Sequence, residues 1–176
     1  MLRGELVGLV PLQSTDELAL NRWLNDPRVR RASGRPSWKA CYNLEQVQDI
    51  IRDRLAQPSR YDLIVTETSG GQPLGMVEIT HLHPMRDSAQ ITMVWGEKED
   101  LEKEVEALAL AVTYAFNSQG LHRLWARVPS AQQGMVDAFQ QVGFRVEGVL
   151  REDHFSGGIW RDSLLLSLLS AEARPC

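Results

Sequence analysis

Leu101, Val105, Leu108, Val112, Ala115 and Phe116 recur at helical spacing, so residues from about 101 onward carry one apolar stripe on a long helix that stops at Gly120. The same punctuation then repeats: Leu121 to Val128 reads as a strand, Gln132 to Val142 as a helix and Gly143 as its stop. Helices with a single apolar face need a surface to lie on, and the rest of the chain supplies strands for it. Leu6 to Leu12, Tyr61 to Glu67, Leu74 to Leu82 and Ser88 to Trp95 read as strands, with Ser69-Gly70-Gly71-Gln72 turning one hairpin. Phe144 to Phe155 and Ile159 to Leu168 form a closing hairpin through Ser156-Gly157-Gly158. Two further helices come early. One, capped by Ser14 or Thr15, runs to Asn25, where Asp26-Pro27 stops it; the other starts at Asn43 and carries Leu44, Val47, Ile50, Ile51 and Leu55. No repeat, linker or composition break appears, so residues 1–176 are expected to form one α+β domain on a mixed, mostly antiparallel sheet.

Composition excludes several classes. With 43% hydrophobic and 24% charged residues, the chain is ordinary globular material. A net charge of −4 argues against general nucleic-acid binding. Arg28, Arg30, Arg31, Arg35 and Lys39 nevertheless form a local basic run; a solvated loop is the reading preferred over an anion-binding patch. Cys41 and Cys176 are far apart and do not make a disulfide framework, which fits a reducing compartment. The first residues do not read as a signal peptide and no apolar run spans a bilayer, so a cytoplasmic protein without a membrane partner is expected. His81 and His83 share one strand face, but no third ligand completes a metal set, and no metal is expected.

Several segments, in order and near the usual spacing, carry a family resemblance. Gly120-Leu121-His122-Arg123-Leu124-Trp125-Ala126-Arg127-Val128, Gln141-Val142-Gly143-Phe144, Glu147-Gly148-Val149-Leu150-Arg151-Glu152 and Trp160-Arg161-Asp162 resemble the G-L-H-R-x-x-A-R-V, K-L-G-F, E-G-x-L-R-E and W-x-D segments of the GNAT acyltransferase superfamily. Trp23-Leu24-Asn25-Asp26-Pro27-Arg28-Val29-Arg30-Arg31 is similar to the W-x-N-D-P-x-V-R-R segment of its RimJ and RimL branch. The resemblance implies the GNAT fold, with the strands near 88–95 and 121–128 adjacent, parallel and splayed at their C-terminal ends. It also implies transfer of an acyl group from acetyl-CoA or another acyl-CoA to an amine-bearing small molecule or a protein N-terminus. Trp95, Gly96, Ser130 and Gln132 fall at cofactor-binding positions, Gln132 where many members have Asn.

The chain departs from the family where phosphate and protons would be handled. Aligned on Glu106-Ala107-Leu108, the three glycines of the R-G-K-G-Y-G loop fall on Asp100, Glu102 and Glu104. From Glu97 to Glu106 there are six acids against Lys98 and Lys103, where a phosphate cradle needs close backbone approach and a positive field. The Tyr that can protonate the leaving thiolate corresponds to Phe139, and a carboxylate common on the preceding strand is the amide Gln90. Glu78 is the candidate catalytic base: with Leu74, Met76 and Thr80 it is expected on one strand face, a carboxylate among apolar neighbours. Ser130 is equally a helix N-cap, and Asp153 and His154 could face the same cleft. The alternative is a GNAT-fold binding or assembly module that has lost acetyl-CoA binding. Leu164-Leu165-Leu166-Ser167-Leu168-Leu169 is apolar on both strand faces, and a homodimer is expected from it.

Overall fold

The structure, a computed structural model, describes residues 2–32, 41–83, 85, 87–98 and 100–173. In chain order the elements are β1 (Leu2–Arg3), β2 (Val7–Pro11), α1 (Glu17–Asn25), α2 (Pro27–Ala32), α3 (Leu44–Leu55), β3 (Tyr61–Glu67), β4 (Pro73–Thr80) and β5 (Ser88–Trp95). Then come α4 (Leu101–Thr113), β6 (Arg123–Pro129), α5 (Gln133–Val142), β7 (Arg145–Ser156) and β8 (Ile159–Leu169). Among the described residues, eight strands make one sheet in the order β1-β2-β3-β4-β5-β6-β8-β7. Every neighbouring pair is antiparallel except β5 with β6, so the expected mostly antiparallel mixed sheet is present.

Helices cover both faces. Leu108, Ala111 and Val112 of α4 and Val136 and Phe139 of α5 pack with Val77, Ile91 and Leu124 in the larger core. Leu20, Trp23 and Leu24 of α1 and Val47 and Ile51 of α3 close the other face over Ile64 and Met76. Asn43 caps α3 by accepting from the Gln46 N–H, while the Gln46 side chain returns a bond to the Asn43 N–H. Gly143 ends α5 with φ +112°, a conformation that costs glycine little.

The amino-terminal hairpin is tied to α4 by one side chain. Glu106 Oε1 accepts from the Glu5 N–H at 2.6 Å, and Oε2 accepts from the Leu6 and Val7 N–H groups, each at 2.8 Å. A Cβ on Gly4 would lie 2.3 Å from Glu106 Oε1, so glycine there leaves room for the carboxylate.

Three expectations are corrected. The basic run is not all loop: Pro27 opens α2, and Asp26 Oδ1 accepts from the Arg28 N–H at 2.7 Å. Arg30 is buried, while Arg35 and Lys39 lie outside the described residues. The first helical turn is not capped by Ser14 or Thr15; Gln13 and Asp16 bracket a short 3₁₀ turn ahead of α1. Leu74 does not share a face with Met76, because an irregularity between Val65 and Thr66 shifts the β3–β4 register and sends Leu74 into the core beneath α4. Leu164 to Leu169 belong to β8, which is interior to the sheet, and Leu166 and Leu168 are fully buried. The same hairpin exposes Val146, Val149, Phe155, Ile159 and Trp160.

At the β6–β8–β7 end, Arg123 Nη1 donates to Glu147 Oε1 at 3.0 Å and Ser167 Oγ donates to the same oxygen at 2.7 Å. The hydrogen bond from Arg123, then that from Ser167, hold the Glu147 carboxyl below its ordinary value. A carboxyl depressed by folding adds stability that is present above its unfolded value and is lost as pH falls through its folded value. The thermal midpoint is therefore expected to fall further on acidification for the unaltered chain than for Glu147→Gln. Equal falls would remove this pair from the stability account.

Candidate active site

The parallel pair opens the site. β5 and β6 are paired only at Ser88–Gln90 with Arg123–Trp125, although the strands continue to Trp95 and Pro129. The Gly96 N–H bonds Leu74 O at 2.9 Å, which places the even-numbered residues of β5 in hydrogen-bonded register with β4. Met93 and Trp95 thus turn their main-chain groups toward the gap left by β6. A small cleft of about 60 Å³ lies in that gap, with Thr92, Arg127, Gln132 and Phe139 on its walls. Beyond it is a cavity of about 530 Å³ between the end of β5, α2 and the N-terminal ends of α4 and α5. Met93, Val94, Trp95, Leu101 and Met135 make most of its surface apolar, and among the described residues Arg28, Glu97 and Glu104 add charge to its lining.

Of the residues expected to hold a cofactor, Trp95 and Gln132 line this cavity, and Gln132 also lines the small cleft. Trp95 is fixed by its indole N–H, which donates to Lys98 O at 2.9 Å. Gly96 is shaped by packing: its N–H is used by β4, and a Cβ built on it would lie 2.0 Å from Trp23 Nε1. Gly96→Ala is therefore expected to shift Trp23 and destabilise the fold by the roughly 1–3 kcal/mol that overpacking costs, read as a lower thermal midpoint. An unchanged midpoint would show that the indole moves freely. Ser130 does not cap α5, where Gln132 is the residue before the first turn. Its N–H and hydroxyl both donate to Asp162 O at 3.0 Å, tying the end of β6 to β8.

Glu78 has charged neighbours where apolar ones are expected. Arg54 Nη1 from α3 donates to Glu78 Oε1 at 2.6 Å and lies 3.2 Å from Asp62 Oδ1, and Arg60 pairs with Asp62 at 2.6 Å. All four side chains are at most 15% exposed. Glu78 does not line either opening, but its register partner on β5, Thr92, lines the small cleft. Asp153 pairs with Arg127 at 2.9 Å beside that cleft, whereas His154 is buried against Ser163, with its Nδ1 3.3 Å from the hydroxyl. Three residues of β7, 151–153, stand opposite one residue of β8, and Asp162 Oδ1 holds the Glu152 N–H in this bulge at 2.8 Å. His83 pairs with Asp87 at 3.0 Å, and no metal-binding group of three His, Cys, Asp or Glu occurs among the described residues.

The N-terminus of α4 already carries its own carboxylates. Asp100 is the N-cap, and its Oδ1 accepts from the Lys103 N–H at 3.3 Å. Glu104, only 3% exposed, turns back so that its Oε1 accepts from the Asp100 N–H at 3.1 Å. Lys103 reaches Glu67 at 2.8 Å, and that hydrogen bond raises the Lys103 ammonium above its ordinary value while lowering Glu67 below its own. Arg22 pairs with Glu97 across the cavity rim. Phe139, 1% exposed, presents a ring stacked edge-on to Phe144 and has no proton to give. Sequence reasoning missed the lining residues Arg28, Met93, Glu97, Leu101 and Met135. Glu104 and Phe139 were legible by alignment, as substitutions.

The signature described as an acetyltransferase (GNAT) domain matches residues 7–145. The chain is 26% identical over 182 residues to the Bacillus subtilis protein named probable N-acetyltransferase YjcK, covering 98% of each. It is 25% identical over 163 residues to an Escherichia coli spermidine N(1)-acetyltransferase, covering 92% of this chain and 85% of that protein. Among solved structures, a Vibrio cholerae spermidine N-acetyltransferase in complex with CoA and spermine superposes with a TM-score of 0.85 at 16% identity, covering 96% of this chain and 98% of that one. A Vibrio fischeri ribosomal-protein-S5-alanine acetyltransferase superposes with a TM-score of 0.82, also at 16% identity, covering 98% of both.

Proposed function

Since the chain belongs to the acetyltransferase (GNAT) domain family, we propose that it transfers an acyl group from a CoA-type thioester to a primary amine. The observation that carries this reading is the unpaired stretch of β5 beside the 530 Å³ cavity. There the main-chain groups of Met93 and Trp95 can bond the amides of a pantetheine arm and polarise a thioester carbonyl. Trp95 and Gln132 hold the arm, while Gly96 and Ser130, which line neither opening, fix the ends of β5 and β6 through Leu74 and Asp162. The amine nitrogen bonds the carbonyl carbon, the carbon–sulfur bond breaks, the amine gives up a proton and the thiolate takes one. Phe139 cannot supply that last proton, so solvent does.

Glu78 is proposed as the acceptor of the amine proton, through its place beside Thr92, while held by Arg54. The relatives' names favour a small polyamine-like acceptor. The Trp23-to-Arg31 segment and the ribosomal-protein acetyltransferase neighbour favour a protein N-terminus as the second reading. We place the chain in the cytoplasm as a single domain; no helix among the described residues is long and apolar enough to cross a membrane. A homodimer would form through the exposed Val149, Ile159 and Trp160.

The test is release of free thiol when an S-acetyl thioester is mixed with spermidine or with a peptide amine, with the acetylated product identified by mass. Thiol release that depends on the amine supports transferase activity. No product with any donor and acceptor pair would overturn it and leave a non-catalytic binding module. General-base catalysis contributes roughly 10²–10⁴-fold, so Glu78→Gln should lower kcat/KM by about that factor. An unchanged kcat/KM would restrict Glu78 to its ion-pair network.

A further inference from the structure

Resting on the transferase reading, we propose that Asp100 and Glu104 set donor specificity. By this assignment the cavity takes acyl thioesters whose pantetheine arm carries no diphosphate. The first amides of α4 are where an N-terminal helix dipole would ordinarily receive a phosphate. Here the Asp100 carboxylate faces the Lys103 amide, and the Glu104 carboxylate faces the Asp100 amide. Glu104 is also part of the cavity wall and is only 3% exposed, so its carboxyl is held against the site from within the protein. A diphosphate reaching these amides would have to displace two carboxylates and then lie beside them. Among the described residues, Lys103 pairs with Glu67 and Asp100, Arg22 with Glu97, and Arg28 with Asp26.

What remains of the cavity suits a neutral, amide-bearing chain. Met93, Leu101 and Met135 offer apolar contact to methylene and gem-dimethyl groups, Gln132 and Gln133 offer amides, and β5 offers an unpaired edge. Pantetheine has this chemistry, with two amides on an aliphatic arm. Both a free pantetheine thioester and a phosphopantetheine arm presented by a carrier possess it.

The experiment is calorimetric titration of the whole protein with three donors that share the acetylated arm: S-acetylpantetheine, S-acetyl-4′-phosphopantetheine and acetyl-CoA. The first carries no phosphate, the second one, the third a diphosphate and a 3′-phosphate. The dissociation constant is expected to rise along the series by about tenfold or more at low salt, since several close like-charge contacts accumulate, and the spread should narrow as salt is raised. Tightest binding by the unphosphorylated arm points to a free thioester; equal binding of the first two with loss only at acetyl-CoA points to a carrier-bound arm. Either result supports the assignment. Asp100→Asn should flatten the series, and because this residue is at the surface the variant does not depend on refilling a buried site. Acetyl-CoA binding as tightly as S-acetylpantetheine, or no binding of any of the three, overturns the assignment. If the series holds but thiol release with amines is absent, the transferase reading fails and the specificity stands.

Discussion

Glycine at positions 100, 102 and 104 together is expected to tighten acetyl-CoA binding by about tenfold or more over the unaltered chain. Two physical terms change at once. Removing the three side chains frees the Asp100 and Lys103 amides from the carboxylates that now occupy them and allows a phosphate to approach bare backbone. Removing three charges also reverses the local field; each like-charge pair ~4 Å apart is worth roughly 1 kcal/mol in water and about 4 at a near-surface effective dielectric. A companion variant, Asp100→Asn with Glu102→Gln and Glu104→Gln, relieves the charge but keeps the bulk. If both variants gain equally, repulsion is the whole effect; if glycine alone gains, the occupied amides are what exclude the diphosphate. The glycine variant will be less stable, since glycine in a helix costs about 1 kcal/mol per residue relative to alanine. Affinity must therefore be measured well below its melting range. No gain in either variant contradicts the reading of this loop.

Glu106→Ala is expected to destabilise the fold by about 3 kcal/mol or more. Hydrogen bonds to a charged group contribute roughly 1.5–3 kcal/mol each, and this one carboxylate receives three main-chain N–H groups from Glu5, Leu6 and Val7. Alanine would leave those donors to water and release β1 and the start of β2 from α4. Glu106→Gln should cost less, because the amide keeps one acceptor oxygen and turns a competing NH₂ toward the hairpin. Urea unfolding of the two variants measures both. A loss below about 1 kcal/mol for alanine would mean that the amino-terminal hairpin holds to the sheet without the clip.

Periodicity and punctuation made α4, α5 and the closing hairpin legible, because apolar spacing and the glycines at 120 and 143 are local signals. α2 was hidden by Pro27, which ends one helix and can equally open another, and the second option depends on Asp26 reaching the Arg28 N–H. The splay of β5 from β6 came from the family resemblance, and the pairing of only three residues on each strand bears it out. The surroundings of Glu78 were illegible because its partner Arg54 arrives from α3, a helix on another part of the chain. The acids at 100 and 104 were visible as charge. That they close onto the first amides of α4 required the turn itself, since capping is fixed by backbone geometry and not by composition.

α4 supplies its own anions where a diphosphate would be expected. Calorimetric titration of the unaltered protein with acetyl-CoA, at low and at raised salt, tests it most directly. Binding is expected to be weak, in the high-micromolar range or beyond, and not to weaken further as salt screens the repulsion. A low-micromolar dissociation constant that rises steeply with salt would contradict it, because it would show phosphates held by positive charge at this site.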